Sequence, residues 1–336
     1  MQALVCVEPF QLEIQQRALP VRGPDEILVR IRRIGVCGTD MHIFSGTHPF
    51  LAYPRIMGHE IGAEVVETLR NSTLTVGERV YVNPYIACGT CHACRRKKPN
   101  CCMHIQVLGV HCDGAMAEYI AVPASNVFSA AKLTLDQAAM VEFLAIGAHA
   151  VRRGQISAGD HVLVIGAGPI GLGTGLFAAL AGGNVTIVDQ RSDRLAFFQS
   201  VVPGSQVVLS SPDLITALTD HSQGNMFDVV MDATGNAASM ATSFDYVAHG
   251  GTYVLVSVVK DAISFSDPEF HKREMQLLAS RNATAEDFNK VVQFILAGKV
   301  PTDRIKTHAA PLRDIPARLV EWIRPEAGVI KAMIEI

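Results

Sequence analysis

A regular alternation of short apolar runs and helix-like segments dominates the sequence from His161 onwards. Because neighbouring parallel strands need a crossover connection, usually a helix, this alternation predicts βαβ units and a parallel sheet. Six such strands suit the two halves of a doubly wound α/β domain. The predicted strands end near Ile165, Val188, Leu209, Asp232, Val256 and Ala279.

A glycine-rich segment follows the first of these strands. The run HVLVIGAGPIG, residues 161–171, reads into G-x-G-x-x-G, a pattern that is weak alone but specific after a strand and before a helix. Gly166 allows a tight turn, Gly168 removes the Cβ that would block a pyrophosphate, and Gly171 lets helix and strand pack closely. The segment therefore predicts a dinucleotide-binding site.

The following helix and the next strand complete this fingerprint. Pro169 and Ile170 open the helix, whose exposed N-terminal amides can bind phosphate. Asp189 ends the next strand, where its carboxylate can bond both ribose hydroxyls and repel a 2′-phosphate. NAD is therefore favoured over NADP, although Arg191 and Arg194 follow closely and arginine can pair with that phosphate. A glycine turn that binds no ligand is the structural alternative.

Clustered cysteines form a second strong pattern, because five of the eight lie between residues 88 and 102. Four thiolates at a C-x2-C-x2-C-x7-C spacing can close a tetrahedral structural zinc site that leaves no position for water. Cys101 is an alternative fourth ligand, and redox-active thiols or an iron–sulfur cluster are competing interpretations. The basic run at residues 95–98 would offset the negative charge of the complex. The four candidate ligands are Cys88, Cys91, Cys94 and Cys102.

The first part of the chain predicts a β-rich domain, and the last strand is expected to return to it. Alternating apolar and polar residues indicate strands at residues 26–37, 79–82 and 117–122. A capped helix is expected over residues 285–297, followed by a final strand over residues 329–336.

A predicted helix separates the two patterns. The segment from Thr134 to Gln137 forms a capping box that should open a helix over residues 135–153. We therefore expect a β-rich domain over residues 1–144, a nucleotide-binding domain over residues 145–281, and a return to the first domain over residues 282–336.

Composition and charge exclude several other classes. The net charge of −3, without a basic patch, gives no sign of nucleic-acid binding. The N-terminus lacks a signal-peptide pattern, and clustered thiols suit a reducing compartment, so a cytoplasmic protein is expected. Residues 162–181 are apolar enough to imitate a membrane span, but their glycines and proline favour a strand, a turn and a buried helix. No membrane association is expected.

In its motifs the whole chain resembles the zinc-containing medium-chain dehydrogenases, within the sorbitol and threonine dehydrogenase branch. The resemblance implies a GroES-like β-rich catalytic domain, a Rossmann NAD-binding domain, two zinc ions per chain and a homodimer or homotetramer. Where ethanol-type members carry a third catalytic cysteine, this chain has Glu142. The motifs occur in the family's order: Cys37-Gly-Thr-Asp, Gly58-His-Glu, the cysteine cluster, Asp113-Gly114, Ala117-Glu-Tyr and the glycine fingerprint.

The catalytic metal is assigned through this resemblance, because the residue types alone leave the pairing of two distant segments open. Cys37, His59 and Glu60 offer a thiolate, an imidazole and a carboxylate, all of which zinc accepts. The resemblance implies that these three hold the catalytic zinc. Glu142 would be a fourth ligand or a partner of the zinc-bound water.

Other roles follow from the same resemblance. Thr39 should contact the substrate hydroxyl, and His42 should end a proton relay that passes through the cofactor ribose. Asp40 should orient His59, while Arg194 and Thr234 should contact the cofactor. The alternatives are that Thr39 caps a helix beginning at Asp40 and that His42 is a surface histidine.

The substrate is the least determined feature. Residues 265–274 and 280–288 look like those of bacterial L-galactonate oxidoreductases and related sugar-acid enzymes. Arg281 matches a position that faces the active site in the polyol branch, where a guanidinium could clamp a carboxylate; a bond to Glu142 or to a backbone carbonyl is the alternative. His48 is a candidate pocket residue or a solvated loop histidine.

The resemblance therefore implies a zinc-dependent enzyme that transfers a hydride from a secondary alcohol of a sugar acid or polyol to NAD. L-Threonine and sorbitol-type polyols are alternative substrates. A nucleotide-sensing binding protein of the same fold is the non-enzymatic alternative, since a fold does not fix a function. Zinc-free quinone or enoyl reduction is disfavoured by both predicted metal sites.

Overall fold

A computed structural model describes residues 1–48 and 51–336 of the protein. The chain divides into two compact units. Unit 1 comprises residues 1–142 and 292–336, and unit 2 comprises residues 143–291. Helix α3, Leu135–Gly154, and helix α9, Ala285–Leu296, contain the points where the chain passes from one unit to the other.

Unit 1 is built mainly from antiparallel strands. Strands β10, β6, β5, β3, β18 and β17 are neighbours in that order, β9 pairs with β3, β1 pairs with β2 and β4, and β7 pairs with β8. Its strands are β1 Gln2–Glu8, β2 Gln11–Gln16, β3 Glu26–Val36, β4 Arg55–Ile56, β5 Glu60–Glu67, β6 Arg79–Val82, β7 Tyr85–Ile86, β8 Gln106–Val107, β9 Tyr119–Pro123, β10 Val127–Ser129, β17 Lys306–Pro311 and β18 Lys331–Glu335.

The central strand of this sheet, β3, is apolar on its buried face, and Ile27, Val29 and Ile31 have no solvent exposure. Burial of these β-branched side chains provides much of the favourable free energy of folding in the unit. The short helices of unit 1 lie between its strands: α1 Gly38–Phe44, α2 His92–Arg95, α10 Thr302–Ile305 and α11 Ile315–Trp322.

The predicted return of the C-terminal strand is confirmed. Strand β18 pairs antiparallel with β3, with Ile334 opposite Ile34, and parallel with β17. The last residues of the chain thus lie beside the strand that leads into Cys37.

Unit 2 contains the predicted six-stranded parallel sheet. The strands lie side by side in the order β13-β12-β11-β14-β15-β16. The chain begins at the central strand β11, adds strands toward one edge, and then returns to the centre and adds strands toward the other edge, as in a doubly wound fold. Its strands are β11 His161–Ile165, β12 Asn184–Asp189, β13 Gln206–Leu209, β14 Phe227–Asp232, β15 Val247–Leu255 and β16 Gln276–Ala279.

The apolar segment over residues 162–181 is divided as predicted, between strand β11, a glycine turn and the buried helix α4. In the described part of the chain, no helix is long and apolar enough to span a bilayer. The helices of unit 2 are α4 Pro169–Leu180, α5 Ser192–Val201, α6 Leu214–His221, α7 Ala237–Thr242 and α8 Asp267–Lys272.

The capping box at the start of α3 is also confirmed. Gln137 N donates to Thr134 Oγ1 over 3.1 Å, and Thr134 N donates to Gln137 Oε1 over 2.9 Å. Because these two bonds satisfy backbone donors that the first helical turn leaves unpaired, they fix where α3 begins and so where Glu142 lies.

Candidate metal centres and dinucleotide site

The cysteine cluster, which we call the knuckle, brings together the Sγ atoms of Cys88, Cys91, Cys94 and Cys102. All four lie within 4.8 Å of one another. Cys91 Sγ is 3.5 Å from Cys94 Sγ and 3.9 Å from Cys102 Sγ. A Zn–S bond of about 2.3 Å in a tetrahedron implies S–S separations of about 3.8 Å, so the donor set fits a structural zinc ion.

The structure distinguishes the two adjacent candidates for the fourth ligand. Cys102 is buried and belongs to the group, whereas Cys101 is exposed. Backbone amides also point at the sulfurs: Cys88 N and His104 N each lie 3.3 Å from Cys102 Sγ. Such donors stabilise thiolates, which is the form that binds metal.

A second group of metal-binding residues, which we call the catalytic group, consists of Cys37, His59 and Glu60. Their ligand atoms lie within 4.8 Å of one another. Cys37 follows strand β3 as the N-cap of α1, and Glu60 begins strand β5. Since β3 and β5 are paired with Gly35 opposite Glu60, the sheet register brings these segments together.

Gly35 makes room for this arrangement. A Cβ atom at residue 35 would lie 1.8 Å from Glu60 Oε2, so only glycine allows the Glu60 carboxylate to lie over β3. Gly35 therefore has a steric task two residues before Cys37, the predicted thiol ligand.

Asp40 is fully buried and organises the backbone around the catalytic group. Its Oδ2 accepts a hydrogen bond from Cys37 N over 2.9 Å, and its Oδ1 accepts one from Gly58 N over 3.1 Å. Its Oδ1 lies 4.0 Å from His59 Nδ1, an ion-pair separation rather than a hydrogen bond. The carboxylate thus connects the two segments that carry the ligands.

Lys331 is a member of this neighbourhood that sequence reasoning missed. Its Nζ donates to both carboxylate oxygens of Glu60, over 2.6 and 2.8 Å. Burial by itself lowers the pKa of the Lys331 amine, but the Glu60 carboxylate outweighs that effect and raises the pKa above its ordinary value. In the sequence, a single lysine inside the apolar C-terminal run VIKAMI could have indicated that Lys331 is buried with a partner.

Glu142 is buried near the same group but has a partner of its own. Tyr85, a buried residue that sequence reasoning also missed, donates its hydroxyl to Glu142 Oε1. Burial raises the pKa of the Glu142 carboxyl to about 7. Glu142 is not among the three clustered ligands, and its role as a fourth ligand stays a prediction.

Thr39 and His42, the two residues of the predicted proton relay, have different surroundings. Thr39 lies inside the first turn of α1, with its Oγ1 3.8 Å from Cys37 Sγ. The helix begins at Gly38 with Cys37 as its cap, so the alternative that Thr39 caps the helix is wrong. His42 is exposed, and its Nδ1 contacts Thr47 Oγ1 over 3.0 Å. His48 is half-buried in the following loop, its amide bonded to His42 O.

The donor types and burial of the catalytic group fit a zinc ion. Among the described residues, His59 Nδ1 is a buried nitrogen without a hydrogen-bond partner, and a buried unpaired polar atom is costly. A thiol, an imidazole and a carboxylate are all ligands that zinc accepts, and three protein ligands leave a position open.

The glycine fingerprint in unit 2 has the predicted geometry. Gly166 has a positive φ of 96°, and a Cβ at Gly171 would lie 1.6 Å from Gly166 O. Gly168 is the N-cap of α4, with Pro169 and Ile170 in its first turn. The turn therefore requires glycine at both ends, and its helix presents free amides where a phosphate can bind.

The other predicted cofactor residues surround this turn. Asp189 Oδ2 accepts from Ala167 N over 2.6 Å, which ties the end of β12 to the glycine loop. Arg194 Nη1 lies 3.7 Å from the position of a Cβ on Gly168. The side chain of Thr234 lies beside Gly166, and its hydroxyl donates to the buried Asp232 over 2.6 Å.

The two arginines near Asp189 differ in their contacts. Arg191 forms an ion pair with Asp193 at 2.5 Å, whereas Arg194 lies near the glycine loop.

Arg281, the predicted substrate contact, is exposed just after β16 in unit 2. Its contact with a substrate stays a prediction.

Two family models match the chain. Residues 23–132 match the alcohol dehydrogenase GroES-like domain, and residues 169–297 match the zinc-binding dehydrogenase domain.

Similar proteins cover nearly the whole chain. The L-galactonate-5-dehydrogenase of Escherichia coli K12 is 42% identical over 99% of this chain and 98% of its own length. The L-threonine 3-dehydrogenase of Pyrococcus abyssi is 31% identical over 92% of this chain and 91% of its own. A crystal structure described as a short chain alcohol dehydrogenase of E. coli CFT073, complexed with NADH, is 26% identical, with a TM-score of 0.93 over 100% of this chain and 99% of its own.

Proposed function

The chain belongs to the zinc-binding alcohol dehydrogenase family, and from this premise we propose that it oxidises a secondary alcohol of a sugar acid of the L-galactonate class with NAD. The predicted family, the GroES-like and Rossmann fold class, and the enzyme class are thereby confirmed. The proposal adds the substrate and the roles of individual residues.

One observation carries the substrate proposal. The 42% identity with L-galactonate-5-dehydrogenase extends over 99% of this chain, so it includes the segments around the catalytic group and after β16. The 31% identity with L-threonine 3-dehydrogenase supports amino alcohols as the second candidate class. Arg281 favours the acid, because a guanidinium can bind a carboxylate through two parallel hydrogen bonds.

The residues of unit 1 have separate roles in the proposed reaction. Cys37, His59 and Glu60 would hold zinc, which when bound supplies a Lewis acid that lowers the pKa of the alcohol. Thr39 Oγ1, close to Cys37, would accept a hydrogen bond from the alcohol and pass its own proton on as the alcohol loses one. His42 is exposed and would release that proton to solvent. A relay between Thr39 and His42 needs an intervening group, for which the resemblance suggests the cofactor ribose.

Glu142 and the residues of unit 2 complete the proposed assignment. The buried Glu142, bonded to Tyr85, would stay close to the metal as a proton acceptor or an occasional ligand. The glycine turn, Asp189, Arg194 and Thr234 would bind the nicotinamide cofactor, which accepts the hydride. Asp189 makes NAD the preferred form, because its charge repels a 2′-phosphate.

Two further features belong to the proposal. The free thiols of the knuckle suit a reducing compartment, which supports a cytoplasmic protein. A homodimer or homotetramer is the assembly that the family resemblance suggests.

The test is NAD reduction by zinc-loaded protein with L-galactonate and other aldonates, neutral polyols and L-threonine, with NADP in parallel. We expect the highest kcat/KM for an aldonate with NAD. Arg281→Gln should raise KM for the aldonate but not for a neutral polyol, which serves as the control substrate. Preference for a neutral polyol, or for threonine, would overturn the sugar-acid assignment.

A further inference from the structure

The ion pair between Lys331 and Glu60 joins a predicted zinc ligand to a buried cation. The side chain of Lys331 is 1% exposed and that of Glu60 is fully buried. The ammonium group also donates a hydrogen bond to Val36 O, 3.3 Å away. Because removing two charges from water is expensive, a buried pair of this kind is weak as a stabilising device, which points to another use.

The fold is arranged so that this pair can span a strand. Lys331 begins β18, Glu60 begins β5, and β3 lies between them in the sheet. Gly35 of β3 is paired with Glu60, and its missing side chain leaves the space that the carboxylate occupies. The glycine thus lets the lysine on one side of β3 reach the carboxylate from the other side.

The Glu60 carboxylate can bond to both the lysine and a metal. A carboxylate has two oxygens with about four lone-pair positions, and the ammonium group approaches both oxygens. A carboxylate oxygen also lies within 4.8 Å of the ligand atoms of Cys37 and His59. Glu60 therefore contacts the Lys331 ammonium group and also faces the position that a zinc ion would occupy.

Charge balance gives the direction of the effect. Without metal, Lys331 neutralises the buried Glu60. A zinc ion held by Cys37, His59 and Glu60 would draw on the same Glu60 carboxylate that Lys331 already binds, so the ion and the ammonium group would lie close together. Like charges repel strongly where water is excluded.

We propose that Lys331 is a positioning residue that competes with zinc for Glu60, so that it keeps the site formed without metal and makes the bound metal easier to release. This inference rests on the proposed function only in taking the catalytic group as a zinc site. A zinc ion bound there would share Glu60 with Lys331, which would weaken the bond between Glu60 and the metal.

The experiment measures zinc release from the full-length protein into a chelating zinc indicator, without substrate. Wild type should release two zinc ions per chain in two phases, and knuckle variants identify the phase of each site. Lys331→Met should slow release from the catalytic group by about tenfold, within the range typical of changes to groups that bond metal ligands. Release from the knuckle should not change, which makes it the internal control.

Two variants separate positioning from a general structural role. Lys331→Arg keeps the positive charge and should release zinc at close to the wild-type rate. Lys331→Gln keeps a hydrogen-bond donor but removes the charge, so it should slow release about as much as Lys331→Met. If Lys331→Met does not fold, Lys331→Gln replaces it.

The outcomes are distinguishable. Unchanged or faster release from the catalytic group in Lys331→Met, or the same slowing in Lys331→Arg, would overturn the proposal. A single zinc ion per chain, held by the knuckle, would overturn it as well. Slower release together with no activity on any aldonate would leave it standing and remove only the substrate assignment.

Discussion

The knuckle and the catalytic group are both predicted metal-binding sites of unit 1, yet they are assembled from very different lengths of chain. The four thiols of the knuckle come from residues 88–102, where a short helix and a turn bring them together. The catalytic group joins the end of β3 to the start of β5, and Lys331 reaches Glu60 across 271 positions of sequence. The knuckle can form from its own short segment, whereas the catalytic group forms only when the strands of the sheet are paired.

The two sites also differ in how their negative charge is compensated. Beside the knuckle, residues 95–98 are basic but exposed, so water and salt screen them. Beside the catalytic group, the compensating cation is a buried lysine in direct contact with a ligand. Proximity in sequence thus assembles the predicted structural site, whereas burial and long-range strand pairing assemble the predicted catalytic one.

The sharpest test of the comparison removes a ligand from the catalytic group. Cys37→Ser should reduce kcat/KM by roughly 1,000-fold or more, since the Lewis acid supplies several kcal/mol of transition-state stabilisation. Zinc content should fall from two ions to one per chain, as measured by elemental analysis. The thermal stability should change little, because the knuckle keeps its metal. Retention of both zinc ions would show that Cys37 is not a ligand.

The second test removes a ligand from the knuckle, with the adjacent cysteine as its matched control. Cys102→Ser should lower Tm by roughly 10 °C, because structural zinc contributes directly to folding stability. Cys101→Ser should leave Tm and zinc content unchanged, since Cys101 is exposed and outside the group. Equal effects of the two substitutions in a thermal melt would contradict the assignment of Cys102.

The smallest expected effect concerns the exposed cations. Lys98→Gln should change zinc release from the knuckle by less than about twofold, because a solvent-exposed charge that is screened by salt contributes only about 0.4 kcal/mol or less. The same chelator assay used for Lys331 measures it. An effect as large as that of the buried lysine would remove the distinction between the two sites.

Local patterns predicted much of the fold. The six strands of unit 2 end at or within one residue of their predicted ends, because each strand and its following turn are encoded in one short segment. The capping box placed the start of α3 for the same reason. The sequence favours Cys102 over Cys101 only weakly, since the two residues are adjacent, and their difference in burial is what separates them.

The contacts of the catalytic group were beyond sequence reasoning. Nothing in the spacing of Tyr85 and Glu142 shows that a buried hydrogen bond joins them. The lysine in the final strand was visible, but its partner depends on strand order, which places β18 beside β3 and β3 beside β5.

The glycine turn, the parallel sheet and the knuckle are predictable from the sequence, because turn chemistry, strand periodicity and thiol spacing act over a few residues. The tertiary structure alone decided that Glu60 lies over Gly35 and that Lys331 is its partner. Sheet register sets which distant side chains meet, and burial then makes their charges interact strongly instead of being screened by water.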